Sequence, residues 1–377
     1  MRRTRRFLVG GAVVTLVAAA SLVRVAAAWL PLQPIDGADA TESSAAPGPH
    51  QVGVTRMELG GLDALVWYPA DPAHTGHRQW YPATLRMDPS LPQVSLSSAR
   101  GTARPDAPWL PGLADAPLVI FSPGFALAPE QYAWFGEAMA GRGSVVVAPD
   151  HGEFLDPSRL WESTVDRPRA LSAVLDDVEA LASAGGAWEG RVALDDVTAA
   201  GHSYGGYAVQ ALAGARIDTA SFMERCAEGR AVGHPGVFMC DALAPRLGDM
   251  AARAGLDVVP EGLWPSMRDE RVTSVISLAG DAYLFGGRGM ESLTLPVLAV
   301  GGDADADTPL DWGGELTVAG AGGDARLVVL EGVAHMDFLN APDAARRLAT
   351  WLPGDMVGDP ESRHEVHREV LAEVAEG

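Results

Sequence analysis

Residues 201–205 read Gly-His-Ser-Tyr-Gly, and the serine at their centre, Ser203, is the candidate nucleophile of the chain. The run Arg191 to Ala200 before it has the look of a buried strand, and Tyr207 to Ala213 after it reads as a buried helix start. A strand that turns straight into a helix strains the corner residue, and only small flanking residues let the two elements close up. Gly201 and Gly205 supply that room. The plain alternative is a tight turn with an idle serine, and the strand-turn-helix setting argues against it.

An alcohol is a poor nucleophile at neutral pH, so Ser203 needs a base within hydrogen-bond reach and that base needs an orienting carboxylate. His335, in Gly332-Val333-Ala334-His335-Met336-Asp337, follows the last expected strand on a loop suited to dropping an imidazole onto the serine. The other histidines fit less well. His202 sits inside the turn with its side chain expected to point away from the nucleophile. His151 ends a strand on the same edge and is expected to line the pocket, while His364 and His367 lie in a polar tail.

Two aspartates compete for the acid. Asp305, in Gly302-Asp303-Ala304-Asp305-Ala306-Asp307-Thr308-Pro309, follows one strand; Asp281, in Gly280-Asp281-Ala282-Tyr283, ends the strand before it. Loops after successive strands can both satisfy the geometry, and Asp305 is favoured with Asp281 as the alternative. Asp303, Asp305, Asp307 and Asp311 also match the early spacing of a calcium loop, but Thr308 replaces its turn glycine and Gly314 its final glutamate. No His/Cys cluster has zinc spacing. Neither a metal nor a cofactor is expected.

Attack on a carbonyl also needs donors for the developing oxyanion. In Phe121-Ser122-Pro123-Gly124-Phe125 the proline has no N–H, so the backbone N–H of Phe125 is the candidate, with that of Tyr204 as the second donor.

The elements that must hold these residues alternate in the βαβ manner. Val52 to Met57 and Leu62 to Tyr68 read as a hairpin around Gly60-Gly61, followed by an irregular stretch from Asp71 to Pro117. Next come strand Leu118 to Ser122, helix Pro129 to Ala140, strand Ser144 to Ala148, helix Pro168 to Ala184 and strand Val197 to Ala200. Strands Val272 to Ala279, Pro296 to Val300 and Arg326 to Leu330 and a helix from Ala341 to Trp351 follow an interruption at 217–271, read as an inserted cap. Such alternation predicts an α/β fold, a mostly parallel sheet with helices on both faces, over residues 51–353. A charged tail, 354–377, is expected to be a peripheral helix or disordered.

Length and composition bound the rest. The 377 residues with 47% apolar content suffice for one large domain, and a net charge of −21 disfavours a nucleic-acid partner. The chain has no lysine. Arg2, Arg3, Arg5 and Arg6 precede an apolar run from Phe7 to Val23 and the Ala26-Ala27-Ala28 cleavage signature, so residues 1–28 read as an export signal of twin-arginine type or a membrane anchor. Residues 29–50 then form a linker. An exported chain is oxidised, and Cys226 and Cys240, close together in one segment, are expected to form a disulfide.

With these pieces assembled, the chain resembles the α/β-hydrolase fold, and within it the dienelactone hydrolase and platelet-activating factor acetylhydrolase-like serine esterases. The resemblance is carried by Val66-Trp67-Tyr68-Pro69-Ala70, Phe121-Ser122-Pro123-Gly124-Phe125, Gly201-His202-Ser203-Tyr204-Gly205-Gly206, Arg167-Pro168 and Gly332-Val333-Ala334-His335. It departs where Pro123-Gly124 replaces the group's His-Gly. Acetylhydrolase-like members match Asp281 at their acid, most dienelactone hydrolase-like members match Asp305, and a serine in place of the dienelactone hydrolases' cysteine implies an esterase. The resemblance implies a small-molecule or lipid ester as substrate. An acyltransferase with the same residues, or a non-catalytic binding protein on the same scaffold, is the alternative.

Overall fold

The computed structural model describes residues 48–86, 90, 94–340 and 360–376. The expected signal or anchor at 1–28, most of the linker and the expected helix Ala341 to Trp351 lie outside these residues. No helix among the described residues is long and apolar enough to cross a membrane.

Strands β1 (Gln51–Leu59) and β2 (Leu62–Ala70) form the expected antiparallel hairpin. Gly60 and Gly61 close it with φ of 59° and 73°, left-handed values that a two-residue hairpin turn demands. The stretch read as irregular carries structure of its own. Strands β3 (Trp80–Leu85) and β4 (Val94–Arg100) pair as a separate two-stranded sheet, and β5 (Arg104–Pro105) extends the edge of β1.

The remaining strands are β6 (Ala116–Ser122), β7 (Val145–Pro149), β8 (Val192–His202), β9 (Val272–Leu278), β10 (Val297–Gly302) and β11 (Ala325–Leu330). They join the hairpin in a nine-stranded sheet ordered β11-β10-β9-β8-β6-β7-β2-β1-β5, parallel from β7 through β11. Strand β7 lies on one side of β6 and β8 on the other, so the chain reverses direction across the sheet at β6. At such a switch the loops leaving the carboxyl ends part and open a crevice.

Period-two alternation sorts the strand residues onto two cores. Leu118 and Ile120 of β6 pack with Leu171, Val174 and Val178 of helix α2 (Leu160–Ala182) and Tyr207, Ala208 and Ala211 of α3 (Tyr204–Leu212). Val119 and Phe121 face the other way, onto Phe135 and Ala138 of α1 (Ala133–Gly141), which a 3-10 turn at Pro129–Tyr132 precedes.

Helix α2 begins eight residues before the expected start at Pro168. A proline inside a helix removes the N–H owed to the carbonyl four residues back, here that of Thr164. Tyr207 Oη donates to this carbonyl at 3.1 Å, so the helix runs through the proline without an orphaned acceptor.

The segment 217–271 forms three helices, α4 (Thr219–Val232), α5 (Val237–Leu243) and α6 (Leu247–Arg253). Cys226 of α4 and Cys240 of α5 are buried and joined as a disulfide. For a sequence separation of 14, the Cys226→Ser/Cys240→Ser protein is expected to lose about 3 kcal/mol of stability through its freer unfolded chain. Urea denaturation reads this directly, and an unchanged midpoint would show that the cross-link stabilises nothing.

After β9 come α7 (Gly286–Met290) and, between β10 and β11, α8 (Gly314–Gly320). The charged tail is a helix, α9 (Pro360–Glu376), and it is not merely peripheral. Val366, Val370 and Leu371, at helical spacing, enter the same core as α1, and His367 stacks on Trp134 with ring centroids 4.0 Å apart. Charge on the outer face of this helix hid its apolar stripe.

Candidate active site

Register carries five loops to one edge of the sheet. Ser122 of β6 pairs with Gly201, His202 of β8 with Leu278, Leu278 of β9 with Val300, and Gly302 of β10 with Leu330 of β11. The residues that follow these strand ends are those singled out in the sequence: Phe125, Ser203, Asp281, Asp305 and His335.

Ser203 stands alone between β8 and α3 with φ 56° and ψ −125°, a strained conformation for a residue with a side chain. Its N–H still completes the ladder to Leu278 O at 2.9 Å. The flanking glycines are required by contact. A Cβ on Gly205 would lie 2.0 Å from Ser122 O, and one on Gly201 would lie 2.4 Å from Gly205 O.

His335 opens a short 3-10 turn after β11, and its imidazole spans the gap to the serine. Its Nε2 lies 2.8 Å from Ser203 Oγ and its Nδ1 lies 2.8 Å from Asp305 Oδ2. The second oxygen of Asp305 accepts the backbone N–H groups of Asp307, at 2.9 Å, and Thr308, at 2.8 Å, which leaves Oδ2 aimed at the imidazole. Burial opposes a charge on His335, yet the hydrogen bond and charge of Asp305, with Asp307 and Asp281 adding, hold it above the ordinary imidazole value of 6.5.

Asp281 is also buried, but its Oδ1 takes Thr308 Oγ1 at 3.3 Å rather than the histidine. Burial pushes this carboxyl up to about 7; His335 pulls against the shift and the Asp305 charge adds to it. Of the two aspartates, Asp305 is therefore the one hydrogen-bonded to His335. Asp303, Asp307 and Asp311 are exposed.

His202, expected to point away from Ser203, does so and finds work elsewhere. Its Nε2 lies 3.1 Å from His335 O and its Nδ1 lies 2.9 Å from Tyr132 Oη, which accepts the Gly124 N–H at 3.0 Å. With the proton on Nε2, His202 donates to the carbonyl of His335 and accepts from Tyr132. Burial and the neighbouring His335 push its imidazole well below the usual range, so it stays neutral. One chain of hydrogen bonds thereby ties the loop after β6 to the loop bearing His335.

Of the candidate oxyanion donors, Tyr204 follows Ser203 in the chain and Phe125 lies against Tyr204. Tyr204 N–H is the first of helix α3, one of the four that a helix leaves without an internal partner. Phe125 lies on the loop after β6, its ring edge-on to that of Tyr204 with centroids 6.4 Å apart. Arg167, almost fully buried, sits behind this loop. Its Nη1 donates to Pro123 O at 2.6 Å, its Nη2 to Gly124 O at 3.1 Å and its Nε to Glu153 Oε1 at 2.8 Å. Sequence reading gave neither Arg167 nor Glu153 a role. The signal available was Arg167-Pro168, an arginine immediately before the helix expected to start at Pro168.

A cavity of about 650 Å³ opens beside the loop, lined in part by Phe125, His151, Glu153, Phe154, Leu155 and Arg167. His151 lines it as expected, with Nε2 2.9 Å from Ser122 Oγ. Burial and the Arg167 charge push its imidazole down to about 3. Trp264, Phe285 and Trp312 belong to the core, and Trp161 packs against it.

Among solved structures the chain is similar to the ferulic acid esterase from Streptomyces cinnamoneus, at 20% sequence identity and a TM-score of 0.53, over 88% of this chain and 91% of that one. The fold is that of the α/β-hydrolases. Neither a protein-family model nor a curated protein matches the chain.

Proposed function

We propose that this α/β-hydrolase-fold protein is a serine hydrolase of carboxylic esters. The observation that carries the reading is the Asp305–His335–Ser203 hydrogen-bond chain, with both links at 2.8 Å, ending on a strained serine. In this reading Ser203 Oγ attacks the ester carbonyl carbon while His335 Nε2 takes its proton. The N–H groups of Phe125 and Tyr204 hold the oxyanion, and the protonated His335 then returns the proton to the departing alcohol. Water, activated by the same imidazole, attacks the acyl-enzyme and releases the acid. The esterase activity named for the neighbouring structure supports an ester as substrate.

The cavity beside Phe125 is the proposed seat of part of that ester. Six of its seven charged side chains are paired, Arg253 with Asp166, Arg159 with Glu162 and Arg167 with Glu153, and the seventh, Asp156, accepts hydrogen bonds from Ser158. Phe125, Phe154 and Leu155 then favour an uncharged, apolar acyl or aryl group. The disulfide and the arginine-led N-terminal run support an exported protein, and segment 217–271 is read as its cap.

A fluorophosphonate tests the reading. The adduct is expected on the peptide containing Ser203, with loss of ester turnover in step, and folded protein that stays unlabelled would refute it.

The pH dependence follows from His335. A general base must be neutral, so kcat/KM is expected to fall as pH drops through the His335 pKa. Because Asp305 holds that pKa above 6.5, the acid limb should lie above 6.5. The Asp305→Asn protein should move it downward, a shift visible in a pH–rate profile even at low residual activity. A wild-type limb well below 6.5 would contradict the assignment of His335 as base.

A further inference from the structure

We infer that Arg167, backed by Glu153, is a positioning residue that sets the direction of the Phe125 N–H toward the oxyanion. The inference rests on the reading of Ser203 as a nucleophile.

The loop after β6 has four consecutive backbone N–H groups, from Gly124 to Leu127. Gly124 N–H goes to Tyr132 Oη at 3.0 Å, Ala126 N–H to Glu153 Oε2 at 3.2 Å and Leu127 N–H to Gly124 O at 3.1 Å. That of Phe125 has no acceptor among the described residues.

Its direction is set from behind. A trans peptide is planar, so the carbonyl of Gly124 and the N–H of Phe125 point opposite ways. Arg167 Nη2 holds Gly124 O at 3.1 Å, which turns the Phe125 N–H away from the guanidinium. The preceding peptide is fixed at both ends, its carbonyl, Pro123 O, on Arg167 Nη1 at 2.6 Å and its N–H on Tyr132. The following peptide has its N–H on Glu153. Ala126, with φ 59°, completes a loop that would relax without these bonds.

The guanidinium suits this task because its fork of donors lies in one plane. One edge binds both oxygens of Glu153 and the remaining N–H groups reach two successive carbonyls. A lysine could satisfy only part of this set. Burying the cation is tolerable because Glu153 neutralises it: burial works against a charge on Glu153, but Arg167 beside it holds that carboxyl down to about 2. Helix α2 is itself pinned near Arg167, since Tyr207 Oη holds Thr164 O and Tyr204 Oη bonds Thr164 Oγ1. The clamp is therefore attached to α3, the helix that follows Ser203.

The test uses the full chain with a p-nitrophenyl ester, comparing wild type, R167M and the double variant R167M/E153Q. The double variant removes both charges together, so no unpaired buried carboxylate is left to prevent folding. If the Phe125 N–H loses its aim, kcat should fall about 100-fold, the size of losing one oxyanion donor, while KM stays within about threefold. The acid limb of kcat/KM should not move, because Arg167 does not touch His335. A folded variant with kcat within about threefold of wild type, a loss residing in KM, a shifted acid limb, or failure of both variants to fold would each overturn the positioning role. Fluorophosphonate labelling of wild-type Ser203 keeps the two readings apart. An unlabelled, inactive wild type sinks the serine-hydrolase reading, whereas a labelled wild type with an unimpaired R167M sinks the clamp alone.

Discussion

Ser203→Ala protein is expected to hydrolyse a short p-nitrophenyl ester about 10⁶-fold more slowly than wild type, the scale seen when the nucleophile of such a triad is removed. The loss should fall on kcat. Attack by Oγ is the step abolished, while the cavity beside Phe125 and the two N–H groups proposed to hold the ester carbonyl remain. The substitution is a fair test because it removes one oxygen and no packing. Alanine meets the same backbone strain at φ 56° that serine does, so the elbow has no new reason to open. Steady-state kinetics with a thermal unfolding control reads the effect. Turnover at the wild-type rate by folded Ser203→Ala protein would end the proposal.

Asp305→Asn protein should lose about 10⁴-fold in kcat, the cost of giving the base an amide instead of a carboxylate. Two effects add. The imidazolium formed during attack loses its counter-charge, and an amide nitrogen at Oδ2 would turn His335 into the wrong tautomer. The backbone N–H groups of Asp307 and Thr308 favour that outcome, because they hold the carbonyl-like oxygen and leave the other position facing His335. Asp281→Asn should behave differently. Its carboxyl is bonded to Thr308 and, with a pKa near 7, is partly neutral already, so turnover should stay within about tenfold of wild type. Its charge does raise the His335 pKa, so the acid limb should slip slightly downward. Abolition by Asp281→Asn with Asp305→Asn still active would reverse the assignment.

Local chemistry leaves the chain little choice at several places. The strand alternation, the hairpin at Gly60-Gly61 and the elbow around Ser203 were legible because each depends on spacing or on glycine at named positions. Helix α2 starts before Pro168 for a physical reason. Pro168 is a strong local signal, and it was outweighed by a hydroxyl 39 residues away, that of Tyr207, which takes the carbonyl the proline leaves free. Helix α9 was underrated in the same way. Its composition is that of a solvated tail, and the stripe of Val366, Val370 and Leu371 counts only once a matching core face exists.

The linear order of residues was enough to select the α/β class, to single out Ser203 and His335 as candidates, and to favour Asp305 over Asp281 as the candidate acid. Both aspartates follow neighbouring parallel strands at the same sheet edge, three residues past Leu278 and Gly302, so the chain pattern separates them only weakly. The choice lies in three-dimensional geometry: backbone N–H groups orient Asp305 toward Nδ1, while Thr308 engages Asp281. The Arg167–Glu153 clamp and the His202–Tyr132 link are of the same kind. Hydrogen bonds between groups far apart in the chain depend on ångström-scale placement by the packed sheet and helices, and residue type alone carries no such distance.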